Sequence, residues 1–281
     1  MTDLKNSSES FDQVSTELWH LSLNEDAPET IVLLHGLGTC HAEWTFVWPH
    51  LSAYHLLIPD LNGHSKSAQV EPTTIPGNAE TVAQLIRKHA HGGKAHLVGL
   101  SMGGFTAVEL VRKYPDLALS VFSTGAAPYG GFRKWITSQS SLFNTLESIT
   151  KVVPKWVTDQ VNDLSYKAQG ITVPEDVKAA VAQNQSAKLT NAVFGSIGTI
   201  KPESMKDITV RTLTVAGGRM DAVEATRAQG RAMRESCAES RAAVVRKAGH
   251  GWNLEFPELF AQGVLAWIQK QDPPEEFEEL S

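Results

Sequence analysis

A glycine-serine-glycine pentapeptide, Gly99-Leu-Ser-Met-Gly103, constrains the fold of this chain more than any other stretch. The apolar run of residues 94–98 has the composition of a buried strand, and the spacing in residues 104–114 predicts a helix packed on a sheet. In so tight a turn, side chains at 99 and 103 would collide with neighbouring backbone. The pattern therefore predicts a nucleophile elbow, with Ser101 in a strained conformation. The pentapeptide alone also allows a glycine-rich turn whose serine caps the helix.

Apolar runs that suit buried strands alternate with segments of helical spacing along most of the chain. These runs are residues 31–34, 54–58, 94–98, 117–122, 210–216 and 242–245. Such alternation predicts an α/β fold with a doubly wound, mainly parallel sheet. Ligands bind beyond the carboxyl ends of the strands in sheets of this kind, so we expect the functional residues at that edge.

The strand pattern is interrupted between its fourth and fifth apolar runs by a long segment of helical spacing. Residues 128–205 contain no evident buried strand and are interpreted as a helical cap insertion. Residues 11–127 and 206–271 are expected to form the core of the protein. The polar and acidic ends, residues 1–10 and 272–281, are predicted to be mobile termini.

A serine nucleophile needs a base, and the base needs a carboxylate to orient it. His250 lies between two glycines in the loop after the last strand, and Asp221 follows the preceding strand. The order Ser101, Asp221, His250 is the one expected on this kind of sheet. Glu224 is a second choice for the acid, and Asp116 is a poor one because it precedes its strand. The plainer alternatives are a surface-loop histidine at 250 and a helix N-cap at 221.

Attack on a carbonyl group creates negative charge on its oxygen, which requires preorganised N–H donors. The backbone amide of Met102, directly after the serine, is predicted to be one donor. The amide of Leu37, in the stretch His35-Gly-Leu-Gly38 after the first buried strand, is predicted to be the other. His35 itself is expected to order this loop by hydrogen bonding and not to act as a second base.

Composition excludes several classes of partner. A formal net charge of −6 gives no basic footprint for nucleic acid. The apolar runs are too short for a membrane span, and the N-terminus lacks a signal-peptide pattern. With only Cys40 and Cys237 and no signal-peptide pattern, the chain is expected to be cytoplasmic. A small-molecule substrate is its expected partner, and a monomer or a homodimer its expected state. No cofactor or metal is expected, because zinc-protease, phosphate-loop and dinucleotide motifs are absent.

Taken together, these motifs resemble the α/β-hydrolase fold superfamily, of the compact type with a helical cap. The matching positions are the stretch 35–38, the turn 60–67, the elbow 99–103, Asp221 and His250. In the turn that begins at Asp60, Asn62 and Ser65 stand where the family usually has proline and a second glycine. The resemblance covers about residues 28–125 and 208–270, so it leaves the insertion unplaced.

The resemblance implies hydrolysis of an ester, lactone or thioester through an acyl-enzyme, with Ser101, His250 and Asp221 as the triad. A serine nucleophile disfavours the epoxide hydrolases and haloalkane dehalogenases of the superfamily, which use aspartate. Carbon–carbon bond cleavage by the same triad remains an alternative. So do a small-molecule receptor on a hydrolase scaffold and a scaffold with vestigial catalytic residues.

The insertion is expected to set the substrate. Its aromatic side chains could line a medium-sized apolar pocket together with Gly36, or they could simply pack the insertion against the sheet. The predicted substrate-binding residues are Gly36, Tyr129, Phe132, Trp135 and Trp156. Because such pockets are mainly apolar, we expect a small, mostly apolar and uncharged substrate.

Overall fold

The computed structural model describes residues 17–128, 160, 164, 166, 170–184 and 186–281. Their strands are β1 (His20–Leu23), β2 (Thr30–Leu34), β3 (His55–Pro59), β4 (Ala95–Leu100), β5 (Ala118–Thr124), β6 (Thr212–Gly217), β7 (Arg241–Val245) and β8 (Phe277–Glu279). They form one sheet in the order β1-β3-β2-β4-β5-β6-β7-β8. The strands from β3 to β7 are parallel neighbours, and β1 and β8 pair antiparallel at the two edges. The predicted doubly wound, mainly parallel sheet is confirmed.

Helices cover both faces of this sheet. They are α1 (Ile75–His89), α2 (Met102–Lys113), α3 (Glu175–Gln183), α4 (Ala187–Thr199), α5 (Val223–Arg234), α6 (Trp252–Glu255) and α7 (Pro257–Ile268). Short 3₁₀ turns occur at His41–Trp44, Trp48–Leu51, Ser65–Ser67, His91–Gly93, Pro115–Leu117 and Pro202–Asp207. Among the described residues, no helix is both long and apolar enough to cross a membrane.

Strand β2 shows why the sheet needs helices on both faces. Every one of its residues is buried. Val32 and Leu34 pack in one core with α1 and α2, while Ile31 and Leu33 pack in the other with Trp44 and α7. A strand buried on both faces reads as a continuous apolar run, which is the pattern that predicted it. The two cores fix the carboxyl ends of β2 and β4 side by side.

The described part of the insertion between β5 and β6 is helical. Its helix α4 begins after Ser186, whose side chain accepts a hydrogen bond from the Leu189 amide. Leu189, Val193 and Ile197 on α4 join the core that contains α1 and α2. The division at residues 128 and 205 stays a prediction. Four predicted substrate-binding residues lie outside the described residues: Tyr129, Phe132, Trp135 and Trp156.

The C-terminal residues correct one expectation. Residues 272–281 were expected to be a mobile terminus, but they contain strand β8, which pairs with β7. Phe277 is buried, and its ring lies against Gly263 of α7, where a Cβ atom would overlap it. The prediction is wrong because it followed the acidic composition of the segment. The burial of Phe277 against α7 is a tertiary contact that local composition does not show. The predicted N-terminal tail, residues 1–10, lies outside the described residues.

Candidate active site

Ser101 lies in a sharp turn between β4 and α2. Its backbone angles, φ 53° and ψ −115°, belong to a region that side chains other than glycine rarely adopt. A conformation of this kind costs on the order of 1–3 kcal/mol and persists only where the surroundings enforce it. A Cβ atom at Gly99 would overlap the backbone of Gly103, and one at Gly103 would overlap the carbonyl of Leu34. The turn therefore has the geometry predicted for a nucleophile elbow.

Asp221 and His250 form a close pair. His250 Nδ1 lies 2.6 Å from Asp221 Oδ1, and the other carboxylate oxygen accepts a hydrogen bond of 2.7 Å from the Gly217 amide. The Asp221 side chain is nearly buried, whereas that of His250 is 41% exposed. A carboxylate on Nδ1 fixes the tautomer that leaves Nε2 as the basic nitrogen. The structure thus joins the two residues that the sequence assigned as acid and base.

The end of β5 brings this pair next to the elbow. The Ser101 amide donates to the Thr124 carbonyl at 2.8 Å. The next residue, Gly125, has φ +62°, and a Cβ atom there would lie 2.7 Å from Cε1 of His250. The imidazole therefore occupies the space that a side chain at 125 would fill. Sequence reasoning missed this role for Gly125, because Gly125 and His250 are far apart in the chain.

The loop that carries His250 is held by two further contacts. Glu255 accepts a hydrogen bond of 2.9 Å from the Gly249 amide and pairs with Arg219 at 2.7 Å. Trp252 is fully buried and donates from its indole nitrogen to the Thr124 hydroxyl at 2.8 Å. These contacts fix the backbone on both sides of the imidazole. The sequence did not indicate this role for Glu255, because only the folded chain brings Arg219 and the Gly249 amide to its carboxylate.

Residues 35–39, the oxyanion loop, follow β2 and hold several backbone groups in place. The Gly36 amide donates to Glu43 at 2.7 Å, and the Gly38 amide donates to Nε2 of His64 at 3.1 Å. The Gly36 carbonyl accepts from Nδ1 of His35 at 2.7 Å. In a trans peptide the Leu37 amide points the opposite way from that carbonyl. The loop thus orients the Leu37 amide by fixing the peptide group to which it belongs.

The two predicted oxyanion donors share one property. Within the described part of the chain, neither the Leu37 amide nor the Met102 amide has a hydrogen-bond partner. Met102 is the first residue of α2, where helix amides lack intrahelical acceptors and favour negative charge. Gly36, predicted to bind substrate, is buried with its amide committed to Glu43, so that amide is not available to a ligand.

The buried histidines beside the loop are structural. His35 accepts from the Leu61 amide at 2.9 Å, and burial lowers its pKa to about 3. Nδ1 of His64 lies 2.9 Å from the carbonyl of Asn62, and burial lowers the pKa of this imidazole as well. Both rings are therefore neutral near pH 7 and use their nitrogens on backbone groups. This agrees with the expectation that His35 orders the loop.

Glu43 is a fully buried carboxyl group under the oxyanion loop. Besides the Gly36 amide, it accepts from the Thr39 hydroxyl at 3.1 Å. Burial raises its pKa to about 6, although these two hydrogen bonds act in the opposite direction. Sequence reasoning missed Glu43, because a lone acidic residue beside a tryptophan gives no sign that it will be buried.

Within the described residues, one cluster offers metal-ligand atoms, and its other contacts explain it. Cys40, His41 and Asp60 each place a ligand atom within 4.8 Å of the others. The Asp60 carboxylate already accepts hydrogen bonds from the amide and imidazole of His41 and from the Lys66 amide. Burial raises the pKa of the Cys40 thiol to about 11, which opposes the thiolate that a metal would bind. The cluster anchors the turn that begins at Asp60.

A strained serine, a carboxylate-oriented imidazole and two amides at the carboxyl edge of a parallel sheet are typical of one class of hydrolytic enzyme. The chain belongs to the α/β hydrolase family, whose model matches residues 31–263.

Individual relatives agree with this assignment. The chain is 32% identical over 258 residues to an AB hydrolase superfamily protein of Gibberella zeae, covering 89% of this chain and 83% of the relative. It is 26% identical over 252 residues to 3-oxoadipate enol-lactonase 1 of Acinetobacter baylyi, covering 86% of this chain and 90% of the relative. A thermophilic esterase from Thermogutta terrifontis has the same fold, with a TM-score of 0.68 and 20% identity. The match covers 90% of this chain and 93% of the esterase.

Proposed function

We propose that the protein is a serine hydrolase that cleaves esters, lactones or thioesters through an acyl-enzyme. The observation that carries the proposal is the Asp221–His250 pair, 2.6 Å apart, packed against the strand end that also bonds the Ser101 amide. A carboxylate-bound imidazole beside a strained serine is the arrangement that activates a hydroxyl group near neutral pH. The similarity to an enol-lactonase along most of both chains supports lactones as candidate substrates.

In this reaction His250 takes the hydroxyl proton as Oγ of Ser101 bonds to the substrate carbonyl carbon. The carbonyl oxygen becomes an oxyanion, which the amides of Leu37 and Met102 stabilise. The proton passes from His250 to the leaving oxygen or sulfur as that bond breaks. Water then attacks the acyl-enzyme by the same route and releases the acid. Asp221 holds the imidazole and stabilises its cation throughout.

The test is turnover of p-nitrophenyl esters of increasing chain length and of small lactones by the wild type and by Ser101→Ala. We expect kcat to fall by about 10⁴- to 10⁶-fold in the variant, because the nucleophile is lost. The matched control is Ser123→Ala in β5, since this buried hydroxyl has no hydrogen-bond partner among the described residues. It should keep wild-type kcat.

Equal turnover by the wild type and Ser101→Ala would contradict the acyl-enzyme. A folded wild type that turns over none of these substrates would contradict a general esterase or lactonase. That result would favour carbon–carbon cleavage or a receptor.

A further inference from the structure

One side chain of the helical insertion reaches the oxyanion loop. Asn184, directly after α3, is 6% exposed. Its amide nitrogen donates to the carbonyls of Thr39 and Gly38, at 2.9 and 3.3 Å. The same nitrogen lies 3.1 Å from the Ser65 hydroxyl, and the amide oxygen accepts from the Ser65 backbone at 2.9 Å. A single buried amide therefore joins the insertion to two separate segments of the core.

Ser65, the core residue that bonds to Asn184, has an unusual backbone conformation. It has φ +43°, in the left-handed region that favours glycine. This backbone conformation is unfavourable for serine compared with glycine. The serine adds a hydroxyl group, however, and both this hydroxyl and the backbone amide bond to Asn184. This accounts for a serine at a position where the resemblance leads one to expect glycine. The turn and the insertion are thus matched to each other in this chain.

The contacts of Asn184 complete the restraint on the oxyanion loop. Glu43 and His64 hold the amides of Gly36 and Gly38, on either side of Leu37. Asn184 holds the carbonyls of Gly38 and Thr39, so Gly38, the residue directly after Leu37, is held at both its amide and its carbonyl. Without Asn184, the carbonyl groups of residues 38 and 39 would lose their only side-chain donor among the described residues. The loop could then rotate the Leu37 amide away from its position.

We propose that Asn184 is a positioning residue that fixes the oxyanion loop from the helical insertion. Stabilisation of the oxyanion then requires the insertion to stay docked on residues 38–39 and 65. This inference rests on the proposed function, because it assigns a role to the Leu37 amide in that reaction. Asn184 touches no reacting atom and acts only through the loop.

Asn184→Asp tests the inference with almost no change of shape. The variant keeps an acceptor for the Ser65 amide but sets a carboxylate oxygen against the Thr39 and Gly38 carbonyls. We expect kcat for a p-nitrophenyl ester to fall about 10- to 100-fold, with KM changed by no more than about twofold. The inhibition constant of a trifluoromethyl ketone, which forms an oxyanion on Ser101, should rise by the same factor as kcat falls.

The matched control is Ser186→Ala, two residues further along the chain. It removes the N-cap of α4 and weakens the insertion without touching the oxyanion loop. It should keep wild-type kcat and inhibitor affinity, and melting temperatures of both variants report any general loss of structure. The wild type and Ser101→Ala, measured in parallel, report the proposed function itself.

Wild-type kcat and inhibitor affinity in Asn184→Asp would overturn the inference while leaving the proposed function intact. So would equal losses in Asn184→Asp and Ser186→Ala, which would point to general destabilisation. If the wild type shows no turnover that depends on Ser101, the proposed function fails and the positioning role fails with it.

Discussion

Gly125 leaves free the space that the imidazole of His250 occupies. Replacing it with alanine places a Cβ atom 2.7 Å from Cε1 and 2.9 Å from Nδ1 of the ring. The ring must shift, and a displacement of about 1 Å at a catalytic group can lower the rate about 100-fold. We therefore expect Gly125→Ala to lower kcat about 100-fold in a protein that still folds. Steady-state kinetics and thermal unfolding measure the two effects.

Gly92→Ala is the control for backbone strain. Gly92 has φ +64°, close to that of Gly125, but an added Cβ atom there meets nothing within 4 Å. Both variants incur a strain of about 1 kcal/mol for a left-handed alanine, and only one of them displaces the imidazole. Gly92→Ala should therefore keep wild-type kcat. Wild-type kcat in Gly125→Ala as well would mean that the position of His250 does not limit the reaction.

At the scale of elements, β8 is an integral strand and not a tail. The ring of Phe277 packs near Phe122 and Trp252, with centroids 6.3 and 5.7 Å apart. Phe277→Ala should lower the free energy of unfolding by roughly 3 kcal/mol, because it leaves a cavity between β7 and α7. Urea denaturation measures the loss.

Glu279→Ala in the same strand is the matched control. Its partially exposed ion pair with Arg234 contributes at most about 1 kcal/mol. If Phe277→Ala were as stable as this control, the C-terminal residues would be mobile, as the acidic composition had indicated.

The contrast between the elbow and β8 shows what the sequence could reveal. The elbow was predictable because its glycines, its serine and the flanking strand and helix are all local in sequence. The start of helix α1 is different, because the local sequence contains two residues of the types that cap helices, Thr74 and Asn78. The actual cap is Thr74, and Asn78 instead accepts from the Asn62 amide. A side chain with two possible partners cannot be assigned from local pattern alone.

The contacts that refine the site were not predictable, because they join distant parts of the chain. Asn184 bonds residues 38, 39 and 65 across more than a hundred positions. Gly125 and Glu43 also owe their roles to neighbours that only the folded sheet brings near. Sequence spacing thus predicts the chemical groups of the candidate site, and the fold shows the contacts that hold them.

At the scale of the whole molecule, buried imidazoles make stability depend on pH. Burial lowers the pKa of His35 to about 3 and that of His96 to about 4. The unfolded chain binds protons at these residues below about pH 6.5 and the native state does not, so stability is lost as pH falls. Glu43 has the opposite effect on stability. Its raised pKa lets the native state bind a proton at a higher pH than the unfolded chain does.

The two histidines change the free energy of unfolding more than the carboxyl group of Glu43 does. Between pH 7 and pH 5, each imidazole removes about 2 kcal/mol and Glu43 returns about 1 kcal/mol. We expect the free energy of unfolding to fall by about 3 kcal/mol over this range, measured by urea denaturation at several pH values. A flat profile, or greater stability at pH 5, would mean that these imidazoles are protonated in the native state.

A fluorophosphonate probe tests, without knowledge of the substrate, whether Ser101 is an activated nucleophile. We expect one adduct per protein by intact mass, located on Ser101 by peptide analysis and absent from Ser101→Ala. His250→Ala should react far more slowly, because the base is lost. No adduct in the folded wild type, or an adduct on another residue, would contradict the role of Ser101 as the nucleophile.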